Sequence, residues 1–160
     1  MTAATTMPVT STTTRNTASE MVRNAKTTEL RVASRMYELF DVDNLAGVDE
    51  IYAPDLLDHD GVYGDPSASG IDGARRFHDE IHNGFTNSVH RLLFQAQMPG
   101  GWVVSHWEWT AEHTGPAFGF EASDNKVQIH GTDIVRIDHE KIVEIYHVEE
   151  LQQLFEQLGK

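Results

Sequence analysis

Asp133 is the residue of this 160-residue chain from which chemistry can be argued most directly. It stands in Lys126-Val127-Gln128-Ile129-His130-Gly131-Thr132-Asp133-Ile134-Val135-Arg136-Ile137. Strict alternation along that run puts it on the face of Val127, Ile129, Val135 and Ile137. A carboxylate on an apolar face loses hydration, which disfavours its charged form. Unless donors compensate, its pKa should rise toward the range useful for proton transfer. The residues alone leave a competing reading, a structural carboxylate satisfied by neighbouring hydroxyls or amides.

Several histidines could assist it. His59, in Asp58-His59-Asp60-Gly61, and His113, in Glu112-His113-Thr114-Gly115, fall at element ends, where site residues gather. His147 alternates with Val143 and Ile145 and is expected to point inward. Neutral imidazole can hold or shuttle a proton near pH 7, but each of the three reads equally as a surface or hydrogen-bonded core histidine. His78 and His82 have the helical spacing that can put two imidazoles on one metal. The Glu in His78-Asp79-Glu80-Ile81-His82 is one position away from the His-Glu-x-x-His pattern of zinc proteases, so the pair reads as the outer face of an amphipathic helix. Trp107 and Trp109 share a strand face with Val103 and Ser105, as core or as the wall of a pocket. Neither a phosphate-binding glycine loop nor a Gly-x-Ser-x-Gly nucleophile elbow is present; Gly115-Pro116-Ala117-Phe118-Gly119-Phe120 has the spacing of neither.

The elements that must position these groups follow from periodicity. Residues 1–27 are expected to form a disordered, Thr-rich tail, because there is little to bury in them against the entropy of ordering. From Thr28, Leu30, Ala33, Tyr37 and Phe40 define a helix with a broad buried stripe. Asp43 and Asn44 then offer caps for a short helix carrying Val48, Ile51 and Tyr52, ended by Pro54. Leu56 to Asp60 reads as extended, and Gly61 to Gly70 as a loop. Asp72 caps a third helix with Ala74, Phe77 and Ile81 inside, stopped at Asn83-Gly84. The period then falls to two. Val89–Gln97 and Trp102–Ala111 form a hairpin over Pro99-Gly100-Gly101, and Val127–Asp138 and Ile142–Val148 turn at His139-Glu140-Lys141. Leu151, Leu154, Phe155 and Leu158 mark a terminal amphipathic helix. Helices, then antiparallel strands, then a helix argue for one α+β domain over residues 28–160.

Composition narrows the partners. Twelve Lys and Arg against 25 Asp and Glu give 12 − 25 = −13, without the cationic footprint that nucleic acid or anionic membrane requires. The absence of Cys removes disulfides, thiolate metal sites and Cys nucleophiles, leaving oxygen and imidazole chemistry. No apolar run approaches a membrane span and no signal-peptide core is visible, so a soluble, cytoplasmic protein is expected.

Several segments taken together resemble the SnoaL-like polyketide cyclases of the NTF2-like superfamily. They are Tyr52 to Asp60, Val103-Val104-Ser105-His106-Trp107-Glu108-Trp109-Thr110-Ala111-Glu112-His113-Thr114-Gly115, Phe118-Gly119-Phe120, Gly131 to Ile137 and Lys141-Ile142-Val143-Glu144. The resemblance runs from about Thr28 to Gly159. It implies a cone-shaped α+β barrel, a curved antiparallel sheet covered by N-terminal helices. It implies Asp133 as the acid/base, with His113 beside it, and His59 as a pocket residue. On the substrate-binding wall we place His147, Trp107, Trp109, Tyr37 and Phe40. The implied activity is cofactor-independent, metal-free ring closure of a small hydrophobic, polyketide-like substrate by intramolecular aldol condensation, in a homo-oligomer, dimer or tetramer. Where the family usually continues Lys-Ile-x-Glu-His-Trp-Asp, this chain has Lys141-Ile142-Val143-Glu144-Ile145-Tyr146-His147, so His147 replaces a carboxylate. Ala122-Ser123-Asp124-Asn125-Lys126 and Phe85-Thr86-Asn87 also depart from the pattern. These departures keep open another acid/base reaction (isomerisation, epoxide opening, hydration or another cyclisation) or a non-catalytic ligand-binding role.

Overall fold

The computed structural model describes residues 16–42, 45–60 and 70–159. Its central feature is a six-stranded sheet in the order β1-β3-β4-β5-β6-β2. The strands are β1 (Asn16–Thr17), β2 (Tyr52–Asp58), β3 (Phe85–Met98), β4 (Trp102–His113), β5 (Lys126–Asp138) and β6 (Lys141–Glu149). All neighbours are antiparallel except β2, which runs parallel to β6 at one edge. The sheet is curved and unclosed, so the expected α+β layering holds without a complete barrel. The helices are α1 (Ala18–Asn24), α2 (Thr28–Asp41), α3 (Val48–Ile51), α4 (Ile71–Gly84) and α5 (Leu151–Leu158).

The alternation read from β4 and β5 is realised. Val103, Ser105, Trp107, Trp109, Ala111 and His113 are buried along β4, and Val127, Ile129, Gly131, Asp133, Val135 and Ile137 along β5. The β5–β6 hairpin is tighter than expected, since Asp138 pairs with Lys141. Its two turn residues, His139 and Glu140, both have positive φ, the geometry that matches the twist of the flanking strands. At the β3–β4 turn, Gly101 has a φ of +81° and a Cβ there would lie 2.3 Å from the Ile137 carbonyl oxygen, so only glycine fits.

α2 begins where Thr27 Oγ1 accepts the Leu30 amide at 3.2 Å. It presses Val32, Ala33, Met36, Tyr37 and Leu39 onto the sheet. α4 starts at Gly70, whose φ of 83° suits glycine, rather than at an Asp72 cap. Asp43, Asn44 and the loop residues 61–69 lie outside the described residues.

Two expectations need correction. The domain starts before residue 28: Thr17 and Glu20 form a reciprocal capping box, and Ala18 is fully buried against the core. β1 pairs Asn16 and Thr17 with Leu92 and Arg91, so residues 16–27 are not tail; residues 1–15 lie outside the described residues. The stretch from Tyr52, read as a helix end and a brief extended piece, is the edge strand β2. Pro54 is tolerated at an edge because its missing N–H leaves no inner ladder bond unmade. No helix among the described residues is long and apolar enough to cross a membrane.

Candidate active site

Between α2, α4 and the concave sheet face lies a cavity of about 170 Å³. Asp133 is in its wall, 3% exposed. Its side chain is aimed inward by the period of β5, and three donors from three elements hold it there. Tyr37 Oη of α2 and Trp107 Nε1 of β4 each donate to Oδ2 at 2.6 Å, and His147 Nδ1 of β6 donates to Oδ1 at 2.9 Å. The compensation that sequence left open is therefore present.

The reach of Trp107 depends on the glycine opposite. Gly131 pairs with Trp107 across β4 and β5, and a Cβ at 131 would fall 2.2 Å from the indole ring. Glycine here lets the indole lie across β5 and place Nε1 on the carboxylate two residues away.

His147 is the cation of the site. Burial alone lowers its pKa, but hydrogen bonds to Asp133 and Asp58 and the charges of Asp133 and Glu149 outweigh burial and raise it well above the ordinary value. Asp58 Oδ2 lies 3.5 Å from His147 Nε2, and Asp60 Oδ2 accepts the His147 backbone amide at 2.7 Å. Glu149, burial first and then the charges of Asp133, Asp58 and Asp60 acting on it, is pushed up to about 7 against the pull of His147. Tyr37 and Tyr52 are raised far above the phenol range, chiefly by burial and then by the charge of Asp133, so both stay protonated donors.

Asp133, His147 and Glu149 each bring a ligand atom within 4.8 Å of the others, the arrangement among the described residues that could hold a cation. The His147 nitrogen nearest the group already donates to Asp133, and both Asp133 oxygens already accept, so a cation would have to displace that shared proton.

Of the residues expected at the site, Asp133, His147, Trp107, Trp109, Tyr37 and Phe40 line the cavity. His113 and His59 do not. His113 shares the inner face of β4 with Trp107, but roughly 20 Å of extended strand separates them. It bonds Ser123 Oγ at 2.9 Å behind the Phe85 ring. His59 turns to the other side of the sheet, where it bonds Glu144 at 2.8 Å and stacks on Tyr146. Its neighbour Asp58 takes the cavity side, because adjacent residues on a strand face opposite ways.

The structure adds two further histidines. His78, expected on an outer face, is 1% exposed, lines the cavity and stacks on Phe40 at 3.7 Å. Burial and then the nearby His82 and His90 push its pKa down to about 3, so it is neutral. The helical stripe Ala74, Phe77, Ile81 contains position 78 as well, and that signal was available. His82 instead donates to the Leu39 carbonyl at 2.9 Å, tying α4 to α2. His90, inward on β3 two residues before Leu92, lines the cavity with Nδ1 2.7 Å from Asp41 Oδ1 at the end of α2. Nothing local in the sequence joins Asp41 to His90.

A curved α+β sheet whose concave face carries one buried carboxylate, a paired imidazole and an aromatic wall defines a small-molecule pocket equipped for proton transfer. A family model described as SnoaL-like polyketide cyclase matches residues 30–158, and the chain belongs to that family. Three solved structures show the same fold. A Bacillus cereus ATCC 10987 protein, provisionally described as a polyketide cyclase, is 21% identical with a TM-score of 0.70, covering 86% of this chain and 84% of its own. A Jannaschia sp. CCS1 protein, provisionally described as a SnoaL-like polyketide cyclase, is 16% identical with a TM-score of 0.70, covering 82% and 92%. AclR of Streptomyces galilaeus, provisionally described as a hydroxylase, is 19% identical with a TM-score of 0.69, covering 82% and 80%. At these identities the likeness carries the fold alone. No curated protein matched the sequence.

Proposed function

We propose that this chain closes a ring in a hydrophobic, polyketide-like substrate by an intramolecular aldol-type reaction, using acid/base chemistry without a Schiff base. The observation that carries the reading is Asp133, buried in an aromatic cavity wall and sharing a proton with His147. In such a reaction a carbon acidified by flanking carbonyl groups loses a proton and attacks a ketone in the same molecule. One C–C bond forms and the ketone oxygen becomes an alkoxide that needs a proton. The Asp133–His147 pair holds one, on an imidazole whose charge Asp133, Asp58 and Glu149 stabilise. Tyr37 and Trp107 fix Oδ2, so the pair is already oriented when charge develops. Positioned proton transfer of this kind is worth about 10² to 10⁴ in rate. Folding a flexible substrate against Phe40, Trp107 and Trp109 supplies the near-attack shape.

A second reading has one specific observation behind it. Glu149, pushed up to about 7, is a further proton donor at the same cavity, as an isomerisation, hydration or epoxide opening could use. Both readings are tested by incubating the protein with a tricyclic aromatic polyketide methyl ester and analysing products by chromatography and mass spectrometry. An isomer of unchanged mass with one more ring supports cyclisation. Conversion of the ester to any other product moves the assignment to the second reading.

A further inference from the structure

The cavity contains a second carboxylate–imidazole pair that the ring-closure account has not used. Asp41 ends α2, and its carboxylate accepts from three donors of β3. The His90 backbone amide reaches both oxygens at 2.9 Å, Ser88 Oγ reaches Oδ1 at 3.3 Å, and His90 Nδ1 reaches Oδ1 at 2.7 Å. The backbone bonds alone would anchor the helix end to the strand whatever side chain residue 90 carried. The ring bond does something more: with the proton on Nδ1 facing Asp41, the lone pair is left on Nε2. That nitrogen has no hydrogen-bond partner among the described residues, and His90 is in the cavity wall. An acceptor nitrogen held at the edge of a ligand cavity by a carboxylate behind it has the geometry of a general base.

Its surroundings set it apart from Asp133 while keeping it close. The His90 ring centroid is 5.5 Å from that of Tyr37 and 5.4 Å from that of Trp107, the two residues whose other ends hold Asp133. The two pairs therefore stand on either side of one aromatic partition. A ring closure must remove a proton from carbon at one point of the substrate and add one to oxygen at another, and two separate acid/base pairs can serve the two points.

Resting on the reading of this cavity as an acid/base site, we propose that His90, oriented by Asp41, is the base that removes the carbon-bound proton, while the Asp133–His147 pair serves the oxygen. Nε2 uses its lone pair to form an N–H bond. The C–H electron pair becomes an enolate and then the new C–C bond. The alkoxide takes the proton of the Asp133–His147 pair. Transfer of a proton to solvent from His90 and from solvent to the second pair restores both, and the substrate is isomerised without gain or loss of atoms. The imidazolium formed at His90 lies beside the Asp41 carboxylate and at the carboxyl end of α2, both of which stabilise positive charge.

The test separates the base step from ring closure by using a probe with an acidic carbon and no second ketone to attack, methyl 3-(2-naphthyl)-3-oxopropanoate. Deuterium uptake at the carbon between its carbonyls is followed by NMR in D2O, with the uncatalysed rate subtracted. The wild-type protein is expected to accelerate exchange, and His90→Gln to lower the catalysed rate about 10²-fold or more while probe affinity, read by tryptophan quenching, stays within a few-fold. A wild-type exchange rate in His90→Gln, or no acceleration by the wild type, overturns the inference. Should His90→Gln lack a cooperative urea transition, Asp41→Asn takes its place. It keeps an acceptor oxygen but loses the charge, with exchange expected to fall at least about 10-fold, and an unchanged rate overturns the inference. Failure of the two ideas is distinguishable. Exchange that needs His90 without ring closure of the polyketide ester defeats the proposed function and leaves the base in place. Ring closure with exchange indifferent to His90 does the reverse.

Discussion

The oxygen that organises the site is Asp133 Oδ2, and its two donors make a stability prediction as well as a chemical one. Tyr37→Phe removes a buried hydroxyl bonded at 2.6 Å and leaves the carboxylate with less compensation. A loss of about 1 to 3 kcal/mol is expected from the urea unfolding midpoint; an unchanged midpoint would mean that water or another donor fills the place. The contribution of His147 to stability has a measurable sign. His147 is raised above 6.5 in the folded protein, so below that pH both states carry the proton and its contribution is complete. As pH rises past 6.5, the unfolded chain releases the proton while the folded chain keeps it, and stability falls until the folded value is passed. Glu149, raised to about 7, acts in the same direction between about 4.5 and 7. His78, pushed down to about 3, acts oppositely, weakening the fold as pH falls from 6.5. The urea midpoint should therefore decline from pH 6.5 to 8.5 in the wild type and stay flatter in His147→Gln; parallel declines would contradict the pairing.

At the scale of elements, Gly131 and the capping box are the sharpest points. Gly131→Ala puts a methyl into the Trp107 indole, so it should cost about 1 to 3 kcal/mol and shift the tryptophan emission as the ring leaves Asp133. Unaltered emission and stability would show that the strands part to accept it. Thr17→Ala should cost about 1 kcal/mol in urea unfolding because α1 packs as part of the domain; no effect would return α1 to the tail. These elements also show what the sequence makes legible. β4 and β5 declare themselves because strict alternation over regular, fully paired strands leaves no ambiguity about which face Asp133 takes. β3 hides its first turn of residues: register shifts between Thr86 and Val89, and again between Leu92 and Phe94, break the period, and Asn87 has a φ of 54°. His90 lies between those bulges, and its partner Asp41 comes from a helix end far away in sequence. Asp58 and His59 differ by one position, and on a strand one position decides cavity or exterior. α1 was obscured by Thr-rich composition, although Thr17 followed three residues later by Glu20 is a helix-start signature.

For the whole molecule, the sheet has one face under the helices and, among the described residues, one face without a cover. Phe94, Met98, Tyr146 and Val148 are large apolar residues left 37%, 40%, 38% and 73% exposed on β3 and β6. A second copy is the expected cover, as the resemblance implies, and light scattering should give at least twice the mass of one chain. With a net charge of −13 the copies repel at long range, so association should tighten as salt is raised; a single-chain mass at all salt concentrations would contradict this.

A proton supplied by the Asp133–His147 pair makes ring closure depend on the Asp133 charge, so the decisive measurement is the rate of ring closure by Asp133→Asn at saturating substrate. Asn keeps the shape and can accept from Tyr37 or Trp107 but lacks the charge that holds the proton on His147. A rate lower by about 10² to 10⁴ is expected, with the cooperative urea transition retained. Ring closure by the folded variant at the wild-type rate would contradict it.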